Sequence, residues 1–205
     1  MRVLLINGSP HKNGTTFTAL SLISEYLKKG NVDSSIVHIG AVIKACTNCV
    51  KCRDTGLCIF DDEVNKVLGI VDEYDGIIIG SPVYYAAPTG GIISFLNRFF
   101  QAGHKKLEYK PAASVSVARR AGTTTTIDVL NKYFLYNNMP IVPSNYWNGA
   151  FGMNGEELAK DIEGLQILEN LAENMVWLLK SLDIAKSNKV NPPKAKEKLY
   201  ARLIE

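Results

Sequence analysis

Short, uninterrupted apolar runs alternate along this chain with stretches in which apolar residues recur at helical spacing. Residues 3–6 and 76–80 contain no polar side chain, which is typical of strands that are buried on both faces of a parallel sheet. Because strands that alternate with helices build βαβ units, the pattern predicts an α/β fold with a doubly wound sheet. At 205 residues with 46% hydrophobic composition, the chain is expected to form one domain.

The same pattern predicts where the elements lie. Strands are expected at residues 3–6, 35–39, 76–80, 112–118 and 141–142. Helices are expected from Thr16 onward, from an N-cap at Asp61 or Asp62 to residue 74, at 89–100, at 123–137, and along the apolar positions between 165 and 179. Pro140 and Pro143 flank the last strand, so it should lie at an edge of the sheet.

The ends of the chain bear on its location and partners. The apolar run after Met1 is too short for a signal peptide, and no stretch is long enough for a membrane span. We therefore expect a cytoplasmic protein with no membrane contact. Residues 1–185 form the expected domain, and residues 186–205 form a basic tail with six Lys or Arg against two Glu. Such a tail is typical of a solvated terminus or a strap onto a partner subunit, and it gives little support for nucleic-acid binding.

Four cysteines, the only ones in the chain, lie within residues 45–60. They follow the spacing C-x2-C-x2-C-x5-C and are Cys46, Cys49, Cys52 and Cys58. Iron–sulfur clusters are held by closely related runs, whereas structural zinc usually takes two separated pairs. Disulfides would need an oxidising compartment. Spacing alone leaves two interpretations open: a cluster, or four reduced thiols in a loop that is shaped by something else.

The loop after the first strand has the composition of an anion site. Residues 7–16 supply glycines, the hydroxyls of Ser9, Thr15 and Thr16, and a direct entry into a helix. Backbone N–H groups at a helix N-terminus favour negative charge, and His11 is a possible extra donor. Neither a P-loop nor a dinucleotide fingerprint is present. The loop therefore predicts a cradle for a terminal monophosphate, with a hydroxyl-capped turn as the alternative.

The loops after the third and fourth strands complete the predicted crevice. Residues 81–88 bring prolines together with Tyr84 and Tyr85, which can lie against a planar ring or can be core tyrosines. Residues 118–125 bring Arg119 and a second hydroxyl-rich helix start, where an arginine would stabilise negative charge on a bound ring or would simply be exposed. A monophosphate cradle beside an aromatic, proline-stiffened loop is the flavodoxin pattern, with FMN at the switch point between the first and third strands.

Three ordered motifs carry a closer resemblance. Residues 8–16, the cysteine run followed by Asp61 and Asp62, and residues 80–85 resemble the NADPH-dependent FMN reductase superfamily, and within it the iron–sulfur flavoprotein branch. The resemblance covers residues 1 to about 185. It implies a flavodoxin-like five-stranded parallel sheet in the order 2-1-3-4-5 with helices on both faces, non-covalent FMN, and a homodimer or homotetramer with the flavin near a subunit interface.

The resemblance also assigns roles to residues. It implies phosphate contacts from Ser9, Gly14, Thr15 and Thr16, with His11 standing where the pattern often has an arginine. It implies ring contacts from Pro82, Val83, Tyr84 and Tyr85. The backbone N–H groups of residues 82–85, and Arg119 or the amides of Gly122 and Thr123, are expected to stabilise the anionic reduced flavin. In the iron–sulfur branch, a [4Fe–4S] cluster would be bound by Cys46, Cys49, Cys52 and Cys58.

The expected reaction is hydride transfer from NADH or NADPH to the flavin, followed by electron delivery to an acceptor. The acceptor would be a small molecule such as a flavin or quinone, or a ferredoxin-like redox protein reached through the cluster. No residue is expected to act as a catalytic nucleophile or acid–base group, because the ring chemistry belongs to the cofactor. The alternative is a non-catalytic electron carrier of the flavodoxin or iron–sulfur kind, which the near-neutral body of the chain disfavours.

Overall fold

A five-stranded parallel sheet lies at the centre of the protein. The computed structural model describes residues 1–194 and 196. Its strands are β1 (Arg2–Asn7), β2 (Asp33–His38), β3 (Gly76–Pro82), β4 (Ala112–Ala118) and β5 (Gly149–Phe151). They lie in the order β2-β1-β3-β4-β5, and every neighbouring pair is parallel. The predicted fold class and strand order are confirmed.

Helices connect the strands and cover both faces of the sheet. They are α1 (Thr15–Lys29), α2 (Cys52–Thr55), α3 (Glu63–Ile70), α4 (Gly90–Leu107), α5 (Thr123–Tyr136), α6 (Gly155–Leu158) and α7 (Ile162–Ser187). Asp62 caps α3 by accepting a hydrogen bond from the Val64 N–H. A 3-10 turn follows at Val71–Glu73, so the predicted helix to residue 74 changes type near its end.

Alternate residues of the central strands pack into two separate hydrophobic cores, one on each face of the sheet. In β1, Leu4 and Ile6 pack with α3 and α4 on one face, while Val3 and Leu5 pack with α1 and α7 on the other. All four side chains are fully buried. A strand that is apolar on both sides requires this arrangement, and it explains the continuous apolar run in the sequence.

The prediction for the fifth strand is wrong. Residues 141–142 form only an isolated bridge, in which Ile141 pairs with Ala112. Pro140 and Pro143 have no N–H to donate, so the ladder cannot continue through them. The edge strand is instead Gly149–Phe151, which pairs with the second half of β4.

The helix limits also differ from those predicted. Helix α4 runs to Leu107 rather than to residue 100, and α7 continues to Ser187, past the predicted domain boundary at residue 185. Most of the predicted basic tail, residue 195 and residues 197–205, lies outside the described residues, so its role stays a prediction. Within residues 1–194 and 196, no helix has the length and apolar character needed to cross a membrane.

Candidate functional site

The loops that leave β1 and β3 are hydrogen-bonded to each other at the carboxyl edge of the sheet. The Gly8 N–H donates to the Gly80 carbonyl oxygen at 2.8 Å, and the Thr89 hydroxyl donates to the Gly8 carbonyl oxygen at 2.8 Å. Strand order reverses between these two strands, and doubly wound sheets bind ligands at that point.

Gly8 allows this close approach because it has no side chain. A Cβ atom at this position would lie 2.8 Å from the Ile92 Cβ and 2.9 Å from the Gly80 carbonyl oxygen. Both distances are shorter than van der Waals contact. The sequence therefore fixes the first loop against β3 and α4 through main-chain packing.

Side chains then shape the first loop from within. The Asn7 side chain accepts a hydrogen bond from the Ser9 N–H at 3.0 Å and donates one to the Lys12 carbonyl at 3.1 Å. The Ser9 hydroxyl oxygen accepts from the His11 N–H at 3.1 Å. The His11 side chain is exposed. The loop therefore keeps its shape without needing a ligand.

The loop presents the N-terminus of α1 at the edge of the sheet. Gly14 precedes the helix, no side chain caps it, and its first turn contains no acidic residue. Thr15 is half-buried and Thr16 is only 2% exposed. The first N–H groups of a helix have no partner within the helix, so this end carries unpaired donors that suit an anion.

The third loop is a tight turn. The Tyr84 N–H donates to the Ala87 carbonyl at 2.8 Å, and the Ala87 N–H donates back at 3.0 Å. The two residues between them have positive φ, 50° at Tyr85 and 56° at Ala86, as in a two-residue hairpin. Tyr85 is fully exposed at the tip, and Tyr84 is 46% exposed, so neither is a core tyrosine.

This turn changes which backbone donors are available. The Val83 N–H is already bonded to the Val117 carbonyl at 2.9 Å, and the Tyr84 N–H is bonded within the turn. Pro82 has no N–H. Two of the N–H donors expected to face a bound ring, those of Val83 and Tyr84, therefore already have acceptors, and contact between this loop and a ring stays a prediction. Of residues 82–85, all of which the structure describes, only Tyr85 has an N–H without an acceptor.

The fourth loop packs against the third. Gly122 has φ of 88°, and a Cβ there would lie 2.8 Å from the Val83 Cγ1 and 2.9 Å from the Ala86 Cα. The Thr125 hydroxyl donates to the Ala86 carbonyl at 2.7 Å. Helix α5 follows without a side-chain cap and without an acidic residue in its first turn. A second set of unpaired N–H groups thus lies beside the tyrosine turn.

The structure brings the predicted cofactor residues to one edge of the sheet, although it does not test their contacts. Arg119 is exposed, and Thr123 accepts a hydrogen bond from the Ser116 hydroxyl through its carbonyl. A cleft of about 190 Å³ lies between the first and third loops. Its lining includes Gly8, Pro10, Gly40, Ala41, Tyr84 and Thr89. Which side chains touch a cofactor stays a prediction.

The cysteine loop leaves this edge after β2. All four cysteines line one cavity of about 20 Å³ and are free thiols. Cys46 and Cys49 are exposed, while Cys52 and Cys58 are half-buried. Among the described residues, no three His, Cys, Asp or Glu side chains are arranged to bind one metal ion. The four cysteines therefore share one cavity without forming a ready-made site for a single ion.

The thiols interact electrostatically with one another. Burial raises the pKa of the Cys52 thiol above its ordinary value, and the nearby thiols of Cys58, Cys46 and Cys49 raise it further, against a lowering by a backbone hydrogen bond. Burial and the neighbouring sulfur atoms therefore both disfavour the Cys52 thiolate. A bound cation would reverse that preference.

A buried arginine on the helix that packs against the loop holds the cysteine loop in place. The Arg98 side chain, on α4, is 1% exposed. It donates to the Cys58 Sγ at 3.1 Å and forms two 2.8 Å hydrogen bonds to the Asp62 carboxylate. It also donates to the carbonyl oxygens of Lys44 and Phe60. One side chain thus joins both ends of the cysteine loop to the core.

Sequence reasoning missed Arg98, although a signal was available. Residue 98 lies three positions after Phe95 and directly before Phe99, both fully buried. This spacing places a charged residue on the apolar face of the helix. A charge on that face needs a buried partner, and Asp62 provides it.

Asp62 and Asn65 secure the loop on its other side. Burial raises the pKa of the Asp62 carboxyl, but the hydrogen bonds from Arg98 and from the Val64 N–H outweigh it, so the pKa lies below its usual value. The Asn65 side chain accepts from the Cys58 N–H at 2.8 Å and donates to the Cys58 carbonyl at 2.9 Å. The backbone around Cys58 is therefore fixed.

Similarities to known proteins agree with this geometry. Residues 1–154 match the family model of the NADPH-dependent FMN reductases. An iron–sulfur flavoprotein of Methanocaldococcus jannaschii is 27% identical over 192 residues, which cover 88% of this chain and 98% of the relative.

Solved structures share the fold. RosB, crystallised with bound 8-demethyl-8-formylriboflavin-5'-phosphate, has a TM-score of 0.72 at 14% identity, over 100% of this chain and 98% of RosB. FerB, a flavoenzyme NAD(P)H:(acceptor) oxidoreductase from Paracoccus denitrificans, has a TM-score of 0.66 at 16% identity, over 88% of this chain and 97% of FerB. At these identities the similarity shows the fold alone.

Proposed function

The chain belongs to the NADPH-dependent FMN reductase family, and from this premise we propose that it transfers a hydride from NADH or NADPH to FMN bound at the carboxyl edge of its sheet. It is thus an FMN reductase-type enzyme. The single observation that carries the proposal is the uncapped N-terminus of α1 beside the β1–β3 switch point. Bound FMN supplies the redox chemistry, and the protein supplies position and electrostatic stabilisation.

The first loop fits the FMN phosphate. The N–H groups at the start of α1 are unpaired donors, Ser9 and Thr16 add hydroxyl groups, and no acidic side chain lies in the first turn to repel a phosphate. The exposed His11 side chain can approach the phosphate from solvent. Because riboflavin lacks the phosphate, we expect it to bind roughly tenfold or more weakly than FMN.

The third and fourth loops fit the ring. Tyr84 and Tyr85 are exposed on a rigid turn, where an aromatic side chain can lie against the isoalloxazine. The N–H of Tyr85, the start of α5 and the Arg119 guanidinium supply positive potential for the anionic reduced ring. Since Gly122 packs directly against Val83 and Ala86, the two loops act as one surface.

The cysteine loop supplies the ligands that a [4Fe–4S] cluster needs. Such a cluster takes one thiolate for each iron, so its ligands surround a space without meeting at one atom. All four cysteines line one cavity, and their spacing is closely related to that of known cluster-binding runs. The name of the M. jannaschii relative supports the same assignment. With a cluster bound, the protein could deliver electrons one at a time to a ferredoxin-like partner.

Exposed aromatic residues support a homodimer or homotetramer. Tyr85 is fully exposed, and Tyr146 and Trp147 are 57% and 58% exposed. Large exposed aromatic residues are typical of interaction sites, and a second copy of the chain that covered Tyr85 would also shield the neighbouring flavin from water. A small-molecule acceptor, such as a flavin or quinone, would then enter through the remaining opening.

An anaerobic reduction experiment tests the proposed activity. Protein loaded with FMN is mixed with NADH or NADPH under nitrogen, and the flavin absorbance is followed. We expect at least one nucleotide to bleach the bound flavin, and a quinone to restore the absorbance. If neither nucleotide reduces the bound flavin, the reductase proposal is overturned in favour of the non-catalytic electron carrier.

A further inference from the structure

Arg98 is buried more completely than an anchoring role requires. Of residues 1–194 and 196, it is the only charged residue that is buried. Burying a guanidinium has a desolvation penalty of several kcal/mol, which a partner charge and further hydrogen bonds must offset. A loop can be held by neutral groups instead, as Asn65 does for the backbone around Cys58.

The direction of one Arg98 hydrogen bond indicates a further role. The two terminal nitrogens bind the Asp62 carboxylate, and the Nε–H points at the Cys58 Sγ at 3.1 Å. A neutral thiol is a weak acceptor, whereas a thiolate makes a strong charge-assisted bond. A Cys58 sulfur that binds metal as a thiolate would therefore receive a stronger hydrogen bond from Arg98 than a neutral thiol does.

We infer that Arg98 is a positioning and tuning residue that raises the reduction potential of the cluster through its hydrogen bond to Cys58. This inference rests on the proposed cluster. A donor to a ligand sulfur, and a positive charge nearby, withdraw electron density from the cluster and favour the reduced form, which carries one more negative charge. The added electron would come from the reduced flavin, so a higher cluster potential favours that transfer.

The Asp62 carboxylate should shift the cluster potential in the direction opposite to that of Arg98. Its carboxylate neutralises Arg98 and is itself 29% exposed. Removing the carboxylate leaves the positive charge uncompensated, which should raise the cluster potential. Removing the guanidinium leaves the negative charge uncompensated, which should lower it. A residue that only anchors the loop would not produce this opposition, because losing either partner breaks the same two hydrogen bonds.

The test uses full-length protein purified without oxygen, in the wild-type form and as Arg98→Gln, Arg98→Lys and Asp62→Asn. Iron, sulfide and FMN are counted for each, and the cluster potential is measured by redox titration followed by electron paramagnetic resonance. Arg53→Gln is the control, because it removes an exposed positive charge next to Cys52 that solvent screens.

We expect Arg98→Gln to lower the equilibrium constant for cluster reduction about tenfold, which is about 59 mV for a one-electron couple. Asp62→Asn should shift the potential the other way, Arg98→Lys should lie between wild type and Arg98→Gln, and Arg53→Gln should change little. Unchanged potentials, or shifts of the same sign for Arg98→Gln and Asp62→Asn, would overturn the inference.

Other outcomes are also decisive. If Arg98→Gln does not retain iron, the shift in Asp62→Asn decides, and a wild-type potential in that variant rejects the tuning role. If the wild-type protein holds FMN but neither iron nor sulfide, the cluster proposal fails and this inference fails with it. A full cluster with unchanged potentials rejects the role of Arg98 alone.

Discussion

The flavin crevice and the cysteine loop lie at the same edge of the sheet but are held in different ways. The crevice is held by main-chain contacts between neighbouring strands, such as the Gly8 N–H to the Gly80 carbonyl, and by several separate side-chain hydrogen bonds, such as that of Thr89 to the Gly8 carbonyl. The cysteine loop extends beyond the sheet, exposes two of its four thiols, and depends on side chains, above all Arg98. The crevice should therefore tolerate the loss of a single side-chain contact, whereas the cysteine loop should depend on one residue, Arg98.

The largest effect should come from removing the anchor of the cysteine loop. Arg98→Met keeps the apolar stem but leaves Asp62 without its partner, which should favour opening of the loop by about 3 kcal/mol. Trypsin cuts after Lys51 and Arg53, so its cleavage rate in the apo protein should rise by roughly a hundredfold. A wild-type rate would show that Arg98 does not hold the loop. Lys132→Met is the control, because it replaces a charged residue that is exposed on α5.

In the crevice, the largest loss of stability should come from a substitution where the backbone is closely packed. Gly8→Ala places a Cβ 2.8 Å from the Ile92 side chain and 2.9 Å from the Gly80 carbonyl oxygen, so the free energy of unfolding should fall by about 1–3 kcal/mol. Gly90→Ala is the matched control, because a Cβ there meets nothing within 4 Å. Urea unfolding measures both. Equal stabilities for the two variants would refute the crowding at Gly8.

A change that affects only the ligand should leave both regions folded. Thr16→Val keeps the side-chain shape but removes the hydroxyl, so FMN binding should weaken by roughly 1–2 kcal/mol, the value of one hydrogen bond to a charged group. Fluorescence quenching of FMN on binding gives the affinity. Thr18→Val, farther along α1, should bind FMN like the wild type, and an unchanged affinity for Thr16→Val would remove Thr16 from the site.

The smallest expected effect is a pH dependence of the local stability of the cysteine loop. The pKa of Asp62 is lowered in the folded protein, so its stabilisation is fully present above the ordinary aspartate pKa of about 3.9. It is lost as the pH falls through the folded-state value. Hydrogen exchange of residues 44–62, corrected for intrinsic rates, should accelerate in this acid range.

Asp62→Asn provides the control for that titration. The variant has no carboxyl group at this position, so its loop should show little further acceleration across the same range. The exchange of β1 and β3 should not follow the same titration in either protein. If those strands open together with the loop, the two regions are not independent.

The sheet was predictable because its signal is local. The apolar runs that became β1 and β3 are long enough to identify strands buried on both faces, and that pattern requires helices on both sides. The last strand was not predictable in the same way. It has three residues, Gly149–Phe151, while the more apolar pair at 141–142 lies between two prolines that stop the ladder.

The site was predictable at the level of loops and not of contacts. The turn at Tyr84–Ala87 places Tyr85 and Ala86 in a conformation that such residues rarely adopt. The sequence therefore did not predict that the Tyr84 N–H is hydrogen-bonded within the turn. The bond from Arg98 to Cys58 joins residues 40 positions apart. Spacing within the cysteine run carries no information about such a contact, although the charge on the apolar face of α4 was visible.

The most direct test of two redox sites in one chain is a combined assay of FMN, iron and sulfide on protein purified without oxygen. The account predicts about one FMN, four iron and four sulfide per chain, and an absorption spectrum in which cluster and flavin bands overlap. A protein with FMN but no iron would contradict the role given to the cysteine loop, and a protein that binds no FMN would contradict the account as a whole.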